Sequence, residues 1–570
     1  MAESRDAFVE LQDRVDRPGT PALDRLRAAQ SRHGAVRAED ERRIAAELGQ
    51  PVAAVAGAAS FFADLASGPR GRRHIRVCDG TACLVADRGR HIRRLEEGFG
   101  VRCGGCAPDG SVSLAKVYCL GYCYAAPSAL DGELPCTGAG LGGLLPAGTA
   151  APGGPGPAPP VPFRCAARDA VLLAGLTGAE GPWQVWPRIA ASGDPGSVLR
   201  EVAAAGLRGR GGAGFPVADK WRAVRAGARP RYVVANGDEG DPGSFCDRLL
   251  MESDPHRVLE GLVLAGFAVG AERGLLLVRS EYPLAARRLR AAADGARAAG
   301  HLGSDVHGSG FGFDVEVVQG AGSYVAGEET ALLHTLQGLR GGVRARPPYP
   351  ARRGFRNRPT AVNNVETLAA VPWIAAHGGA AYARLGRAPE TGTKLVSLNE
   401  RFARPGVFEV EFGTPLRLLV EELGGGLRSG EAPRSVQVGG PLGGFLPPEE
   451  LDVPLLAADL GRRGVPLGHA SLVAVDAGVP ARDLLRHLWE FAAAESCGSC
   501  SPCRVGSRRG LELARGIGSG AAAPVREALE EQDPVLEAMA VASLCAFGRG
   551  VAGAVRGLLR VYGDELRGGR

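Results

Sequence analysis

The stretch GLRGRGGAGFP, residues 206–216, decides how the chain is read. It holds a G-x-G-x-x-G spacing from Gly209 to Gly214. In an ordinary dinucleotide-binding unit those glycines follow a strand and open a helix. Here the preceding residues, Ser197 to Ala205, read as a helix from their apolar spacing. The ordinary Rossmann reading therefore fails, but the physical content of the loop survives. Successive glycines let backbone N–H groups approach a phosphate closely, and Arg208 and Arg210 add positive charge. A surface loop with incidental glycines is the competing reading.

Working outward, the strand at Tyr232–Val234 leads into NGDEGDPG, residues 236–243. Its three acids, Asp238, Glu239 and Asp241, alternate with glycines at the carboxyl end of a strand, where open α/β sheets bind ligands. Carboxylates there accept hydrogen bonds from ribose hydroxyls or a carboxamide and repel free anions, so phosphates belong on the arginine–glycine loop. Two further polar clusters follow, GAGSYVAGEET at 320–330 and NNVET at 363–367. Each also reads as a solvated helix start. Strands and helices alternate from about 164 to 385, including a helix after Asp254-Pro255 and a strand Leu275–Val278, as in an α/β sheet domain.

The cysteines form two constellations. Cys78-x4-Cys83 and Cys119-x3-Cys123 each follow a predicted strand, at His74–Val77 and Val112–Val117. Four thiolates from two strand-end loops suit a 2Fe–2S cluster or a zinc ion. Cys497-x2-Cys500-x2-Cys503 with the distant Cys545 suits a 4Fe–4S cluster, since zinc seldom takes three cysteines so closely spaced. Buried unrelated thiols are the bland alternative for both. Cys103 and Cys106 form a pair without an obvious second pair and stay unassigned; Cys136, Cys165 and Cys246 are singletons.

Composition bounds the class. The 570 residues allow several domains, and 67 basic against 62 acidic residues, interspersed, exclude a nucleic-acid stripe or a membrane-binding face. No apolar run reaches the roughly 18 residues of a membrane-spanning helix. The start, MAESRDAFVELQDRVDRPGTP, lacks the apolar core of a secretion signal. A cytoplasmic location is therefore expected, and thirteen reduced cysteines then need metal or redox chemistry. Six segments follow: helical residues 1–70; a small α/β unit, 71–136; a Gly/Pro-rich linker, 137–163; an α/β domain, 164–390; a small mixed module, 391–480, with strands at 394–398 and 407–411 and a helix at 415–422; and a helical unit, 481–570.

The motifs GLRGRGGAGFP, NGDEGDPGSFCDR, GAGSYVAGEETALL, RPPYPA, PTAVNNVETLA and ESCGSCSPCRVG run in this order through residues 206–506. The series resembles the NADH-binding flavoprotein subunit of respiratory complex I and its relatives, the diaphorase subunits of NAD-reducing hydrogenases and NAD-dependent formate dehydrogenases. Residues 1 to about 135 resemble the thioredoxin-like 2Fe–2S subunit of the same enzymes, fused here to the flavoprotein. The resemblance implies a multidomain α/β fold: a thioredoxin-like domain, a Rossmann-like FMN and NADH domain, a β-grasp module and a helical bundle with the 4Fe–4S cluster. It implies FMN held by Gly209, Arg210, Gly211, Gly212 and Gly214, with Lys220, Asn236, Asp238, Asn363, Asn364 and Thr367 around the rest. It also implies NADH near Phe215, with Glu239, Asp241, Tyr324, Gly327, Glu328 and Glu329 around the cofactors. The resemblance implies Glu239, Tyr324 and Glu329 as the catalytic set. The chain departs from the family at Arg346 (often Lys), Tyr349 (often Phe), Ala223 (often aromatic) and Asp241 (often Glu).

A flavin between NADH and iron–sulfur clusters converts a two-electron donor to one-electron carriers, and the protein positions the rings and excludes water. The expected function is NADH dehydrogenase (diaphorase) activity feeding a partner redox subunit. NGDEGDPGSF and VRSEYP (278–283) look most like the formate dehydrogenase beta subunit; the fused amino-terminal domain also suits a hydrogenase diaphorase; a complex I subunit is the third context. Further iron–sulfur subunits are expected, with neither nucleic acid nor membrane insertion. A stand-alone diaphorase and a zinc-stabilised scaffold without catalysis are the remaining alternatives.

Overall fold

Hydrophobic runs without alternation require a sheet covered on both faces. Val233–Ala235 and Leu275–Val278 are such runs, and they are buried in the computed structural model, which describes residues 22–65, 68–146, 158–517 and 522–568. They lie in an all-parallel sheet ordered Asp314–Gln319, Arg273–Val278, Tyr232–Gly237, Thr360–Asn364. The helix Pro255–Val269 backs it, buried at every position from Arg257 to Val269. Pro255 opens this helix and Asp254 caps it by accepting from the Arg257 N–H at 3.4 Å. Gly261 is dictated by packing, because a Cβ there would lie 2.1 Å from the Leu368 carbonyl oxygen. The segments 236–243, 320–330 and 363–367 all leave the carboxyl end of this sheet.

The small α/β unit has a four-stranded sheet ordered Val112–Val117, Arg73–Cys78, Ser128–Asp131, Leu134–Thr137. Its first two strands run parallel and deliver Cys78 and Cys119 to one end. The helix expected from 85 to 99 is two helices, Thr81–Asp87 and Arg90–Phe99, separated because Arg88 (φ 54°) and Gly89 (φ 72°) are left-handed. The expected linker 137–163 is shorter than its composition implied. Gly138–Leu144 forms a 3-10 turn that buries Leu141 and Leu144 against the sheet, and Phe163–Cys165 adds a strand to a different sheet. Residues 147–157 of the linker and 1–21 of the amino-terminal segment lie outside the described residues. Helices Ala22–His33, Ala38–Leu48 and Val52–Ala59 occupy the helical segment.

The module at 391–480 forms most of a six-stranded mixed sheet, ordered Gly444–Leu446, Ser435–Val438, Ser471–Val475, Thr393–Leu398, Gly406–Glu411, Phe163–Cys165. The expected helix at 415–422 is present as helical backbone from 416, π-wound over Leu418–Leu423. Two buried side chains tie this sheet to the α/β domain around the parallel one. Glu409 accepts from the N–H groups of Val171, Leu172 and Leu173 at 2.8–2.9 Å. Lys394 pairs with Glu366, both almost fully buried. The carboxy-terminal unit packs helices Ala481–Glu495, Ser501–Gly516, Ala522–Glu530, Gln532–Ala542 and Ala546–Leu566. Among the described residues no helix is long and apolar enough to cross a membrane.

Gly510→Ala is expected to destabilise the helical unit. A Cβ there would lie 2.4 Å from the ring of buried Trp489, which is anchored by its Nε1–H bond to Gln532 at 3.0 Å. Overpacking of about 1–3 kcal/mol outweighs the gain of about 1 kcal/mol from replacing a helical glycine. A variant melting at or above the wild-type temperature contradicts this.

Glu400 gives a second test. Burial pushes its carboxyl from 4.5 up to about 7. The folded chain therefore holds that proton more tightly than the unfolded one. The resulting stability is complete below pH 4.5 and is lost as pH rises through about 7. Glu400→Gln should remove this loss, so the variant's thermal midpoint should gain on wild type as pH rises across that window. A difference independent of pH refutes it.

Candidate cofactor and electron-transfer site

The glycine loop is a closed turn. Gly209 N–H donates to Phe215 O at 2.9 Å and Val217 N–H to Leu207 O at 3.0 Å. Gly212 (φ 102°) and Gly214 (φ 60°) take left-handed conformations that favour glycine. The loop is pressed between two walls: a Cβ on Gly211 would meet Asn364 Cβ at 3.2 Å, and one on Gly212 would meet Gly468 Cα at 3.5 Å. Arg210 does not lend its charge to the loop. Its guanidinium is buried, donating to Tyr382 Oη (2.6 Å) and Thr391 O (2.8 Å) and lying 4.5 Å from the Phe412 ring. Only its backbone serves the loop, donating to Thr367 Oγ1 at 2.8 Å. Phe215 is 52 % exposed and Tyr349 57 %.

Polar groups line the sheet end behind the loop. Lys220 Nζ donates to Val362 O at 2.6 Å, and burial lowers its pKa. Asn236 Nδ2 donates to Gly327 O at 2.8 Å. Asp238 Oδ2 and Asn363 Nδ2 are buried without a protein partner, and burial raises the Asp238 carboxyl. A Cβ on Gly327 would lie 3.3 Å from Asp238 Oδ2. One orphan acceptor and one orphan donor beside a glycine cradle and a buried lysine fit the polar edges and phosphate of FMN. FMN accepts a hydride and releases electrons singly, the chemistry this chain lacks in its own side chains.

The predicted acids divide by role. Glu239 turns inward: its carboxylate accepts from Ser244 Oγ (2.7 Å) and the N–H groups of Asp247 and Arg248 (both 3.0 Å), capping the helix Cys246–Ser253. Its ligand atom lies within 4.8 Å of those of Asp247 and His469. Glu328 caps the helix Glu329–Leu336 through Thr330 and Ala331, leaving Oε1 without a hydrogen-bond partner. Glu329 pairs with Arg346 at 2.6 Å. Asp241 accepts from Tyr324 Oη, whose backbone N–H donates to Glu495 Oε2 at 2.9 Å. Burial pushes the Glu495 carboxyl up to about 7. Asn364 donates to Asp247 and caps the short helix Val365–Ala369.

Both cysteine sets converge. All thirteen cysteines are free. Cys119 and Cys123 sulfurs lie 3.7 Å apart, and Cys83 hydrogen-bonds Cys78, giving two close pairs. Cys497, Cys500, Cys503 and Cys545 line one cavity together with Val325, Val343 and Phe547. Among the described residues no three cysteine sulfurs lie within 4.8 Å of one another. Tetrahedral zinc, with Zn–S near 2.3 Å, would hold all four at about 3.8 Å. Two pairs suit two irons, and four wider-set thiols suit a cubane. Cys103 and Cys106 stand apart, half-buried, in the loop before the strand Val112–Val117.

Sequence reading missed the residues that join these parts. Phe491 packs edge-on against Tyr118 (5.4 Å) and Tyr324 (5.0 Å), and lies 5.9 Å from Phe547. Tyr118 adjoins Cys119, and Phe547 lines the second cysteine cavity, so one ring links the acidic cleft with both centres. His469 and Arg279 were missed as well. His469 belongs to no motif and only tertiary packing brings it to the sheet end, whereas Arg279 lies in VRSEYP directly after the strand Arg273–Val278 and its role was legible from that place.

Three family models match: the Nuo51 FMN-binding domain over residues 202–373, the thioredoxin-like [2Fe-2S] ferredoxin over 10–133, and the NADH-ubiquinone oxidoreductase-F iron-sulfur binding region over 483–568. The zinc scaffold is set aside by the two iron–sulfur models, which match both cysteine regions. The NADP-reducing hydrogenase subunit HndC of Solidesulfovibrio fructosivorans is 39% identical over 372 residues, 65% of this chain and 75% of that protein. The mitochondrial NADH dehydrogenase [ubiquinone] flavoprotein 1 of Dictyostelium discoideum is 38% identical over 394 residues, 68% of this chain and 81% of that one. A solved NAD+-reducing [NiFe]-hydrogenase chain in the H2-reduced state superposes with a TM-score of 0.84 at 31% identity, covering 96% of this chain and 93% of that one. The chain belongs to the NADH-oxidising flavoprotein family of complex I and hydrogenase diaphorases, an oxidoreductase binding NAD(H), FMN, one 2Fe–2S and one 4Fe–4S cluster.

Proposed function

We propose that this chain is the NAD(H)-reactive subunit of a heteromeric enzyme, passing electrons between NAD(H) and a separate redox subunit through the 4Fe–4S centre of Cys497, Cys500, Cys503 and Cys545. The Phe491 hub carries this reading, because it packs aromatic rings directly between the cleft and both cysteine centres. In this reading Lys220 and the loop from Gly209 to Gly214 hold the phosphate end of FMN. Asp238, Asn363, Asn364 and Thr367 order its polar edges. Glu239 fixes the acidic loop from behind, Tyr324 and Asp241 hold the cleft wall, and Glu329 with Arg346 borders the nicotinamide nucleotide. Electrostatic and steric placement is the whole contribution of these side chains; none is required as a nucleophile. The absence of disulfides among the thirteen cysteines supports a reducing, cytoplasmic setting.

Two partners compete on specific observations. The segments NGDEGDPGSF and VRSEYP favour a formate dehydrogenase beta role. The near-complete superposition on a hydrogenase diaphorase chain, fused amino-terminal domain included, favours a dihydrogen-oxidising partner.

Anaerobic purification from the native source should yield a brown complex with FMN, acid-labile sulfide and NADH:ferricyanide activity. Formate-driven NAD+ reduction with a molybdopterin-type subunit supports the first partner, and dihydrogen-driven reduction with a nickel–iron subunit the second. A chain that purifies alone overturns the heteromeric reading. Cys500→Ala should abolish the 4Fe–4S EPR signal while leaving the 2Fe–2S signal; loss of neither removes Cys500 from the ligand set.

A further inference from the structure

Arg279 follows the strand Arg273–Val278 and is buried at 6 % exposure. Its guanidinium donates to the backbone carbonyl of Cys119 at 2.9 Å and to the backbone carbonyl of Glu239. The same group pairs with Glu281 at 3.0 Å, itself 7 % exposed. One cation thus touches a cysteine ligand loop on one side and the acidic loop of the cofactor cleft on the other. A guanidinium stays protonated, so this charge is fixed. Adding an electron to a cluster makes it one charge more negative, and reduction potentials of such centres respond to nearby charge, hydrogen bonds and exposure. In a buried, low-dielectric setting those effects are screened little.

We propose that Arg279 is a positioning residue that raises the reduction potential of the 2Fe–2S centre at Cys119 and ties that centre's ligand loop to the cofactor cleft. This rests on the reading above, in which the centre exchanges electrons with that cleft. Oxidation of one NADH to NAD+ releases two electrons and one proton. One electron reduces the centre at Cys119, the other leaves by the Cys545 centre, and no bond to a cysteine is made or broken. Glu281 opposes Arg279 electrostatically, so the two partners act on the potential with opposite sign.

The test is an anaerobic EPR-monitored redox titration of the cluster-loaded full chain. Arg279→Gln should move the 2Fe–2S midpoint to more negative potential, Arg279→Lys should move it less, and Glu281→Gln should move it to more positive potential. The 4Fe–4S midpoint should shift less than the 2Fe–2S midpoint in each. Loosened packing cannot produce opposite signs from two partners of one ion pair. Unchanged midpoints, or shifts of the same sign in the Gln variants, overturn the proposal. If Arg279→Gln does not load the cluster, the sign in Glu281→Gln decides alone. Absence of any 2Fe–2S signal in wild type would instead sink the underlying reading.

Discussion

Carboxylates cannot sit in the seam at the carboxyl edge of the parallel sheet unless something donates to them, and the architecture there follows from that constraint. Glu239 is answered by a helix amino terminus, Asp241 by a tyrosine hydroxyl, Glu366 by Lys394, Glu281 by Arg279 and Glu409 by three successive backbone N–H groups. Two of these acids, Glu366 and Glu409, take their partners from a unit other than their own. Docking of the mixed sheet onto the central domain is therefore coupled to burial of its acids. Asp238 Oδ2 and Asn363 Nδ2 are left over, and in the proposed reading they are the atoms that a bound FMN would satisfy.

Much of this was legible in the sequence. The cysteine spacings, the glycine loop after a helix and the strand-end acids each imply chemistry that packing later assembles. What sequence could not show was orientation. Arg210 reads as a phosphate ligand because it lies among glycines, yet its guanidinium faces Tyr382 and Phe412 across a domain seam. Glu239 reads as a cleft residue, yet its carboxylate caps a helix. The uncharged tract at 137–163 reads as linker because its composition hides Leu141 and Leu144, whose three-residue spacing seats them on a sheet. Lys394, one of three lysines in the chain, carries no motif, and only its buried partner Glu366 discloses its structural part.

Phe491 illustrates how little sequence is needed to join distant sites. It sits on a helix of the bundle, ahead of the cysteines of that unit, and no motif includes it. Its ring nonetheless touches aromatic neighbours from the small α/β unit and the cofactor cleft. Burial of a large ring among others is ordinary core packing, and in the proposed reading the same packing sets the medium between the flavin and the two clusters.

The seam between the small α/β unit and the rest is built largely on main-chain acceptors. Arg279 reads the carbonyl of Cys119, Arg248 that of Gly121, Arg401 those of Val85 and Ala86, while the Glu400 N–H reads the carbonyl of Cys123. Recognition of this kind is blind to side-chain identity. Mutational drift can thus rewrite positions of that loop that offer only a carbonyl, but not Tyr118 and Tyr122, whose rings pack against Phe491 and Arg248, nor the two cysteines, nor Gly121, where any side chain would collide with Tyr282 and Arg248.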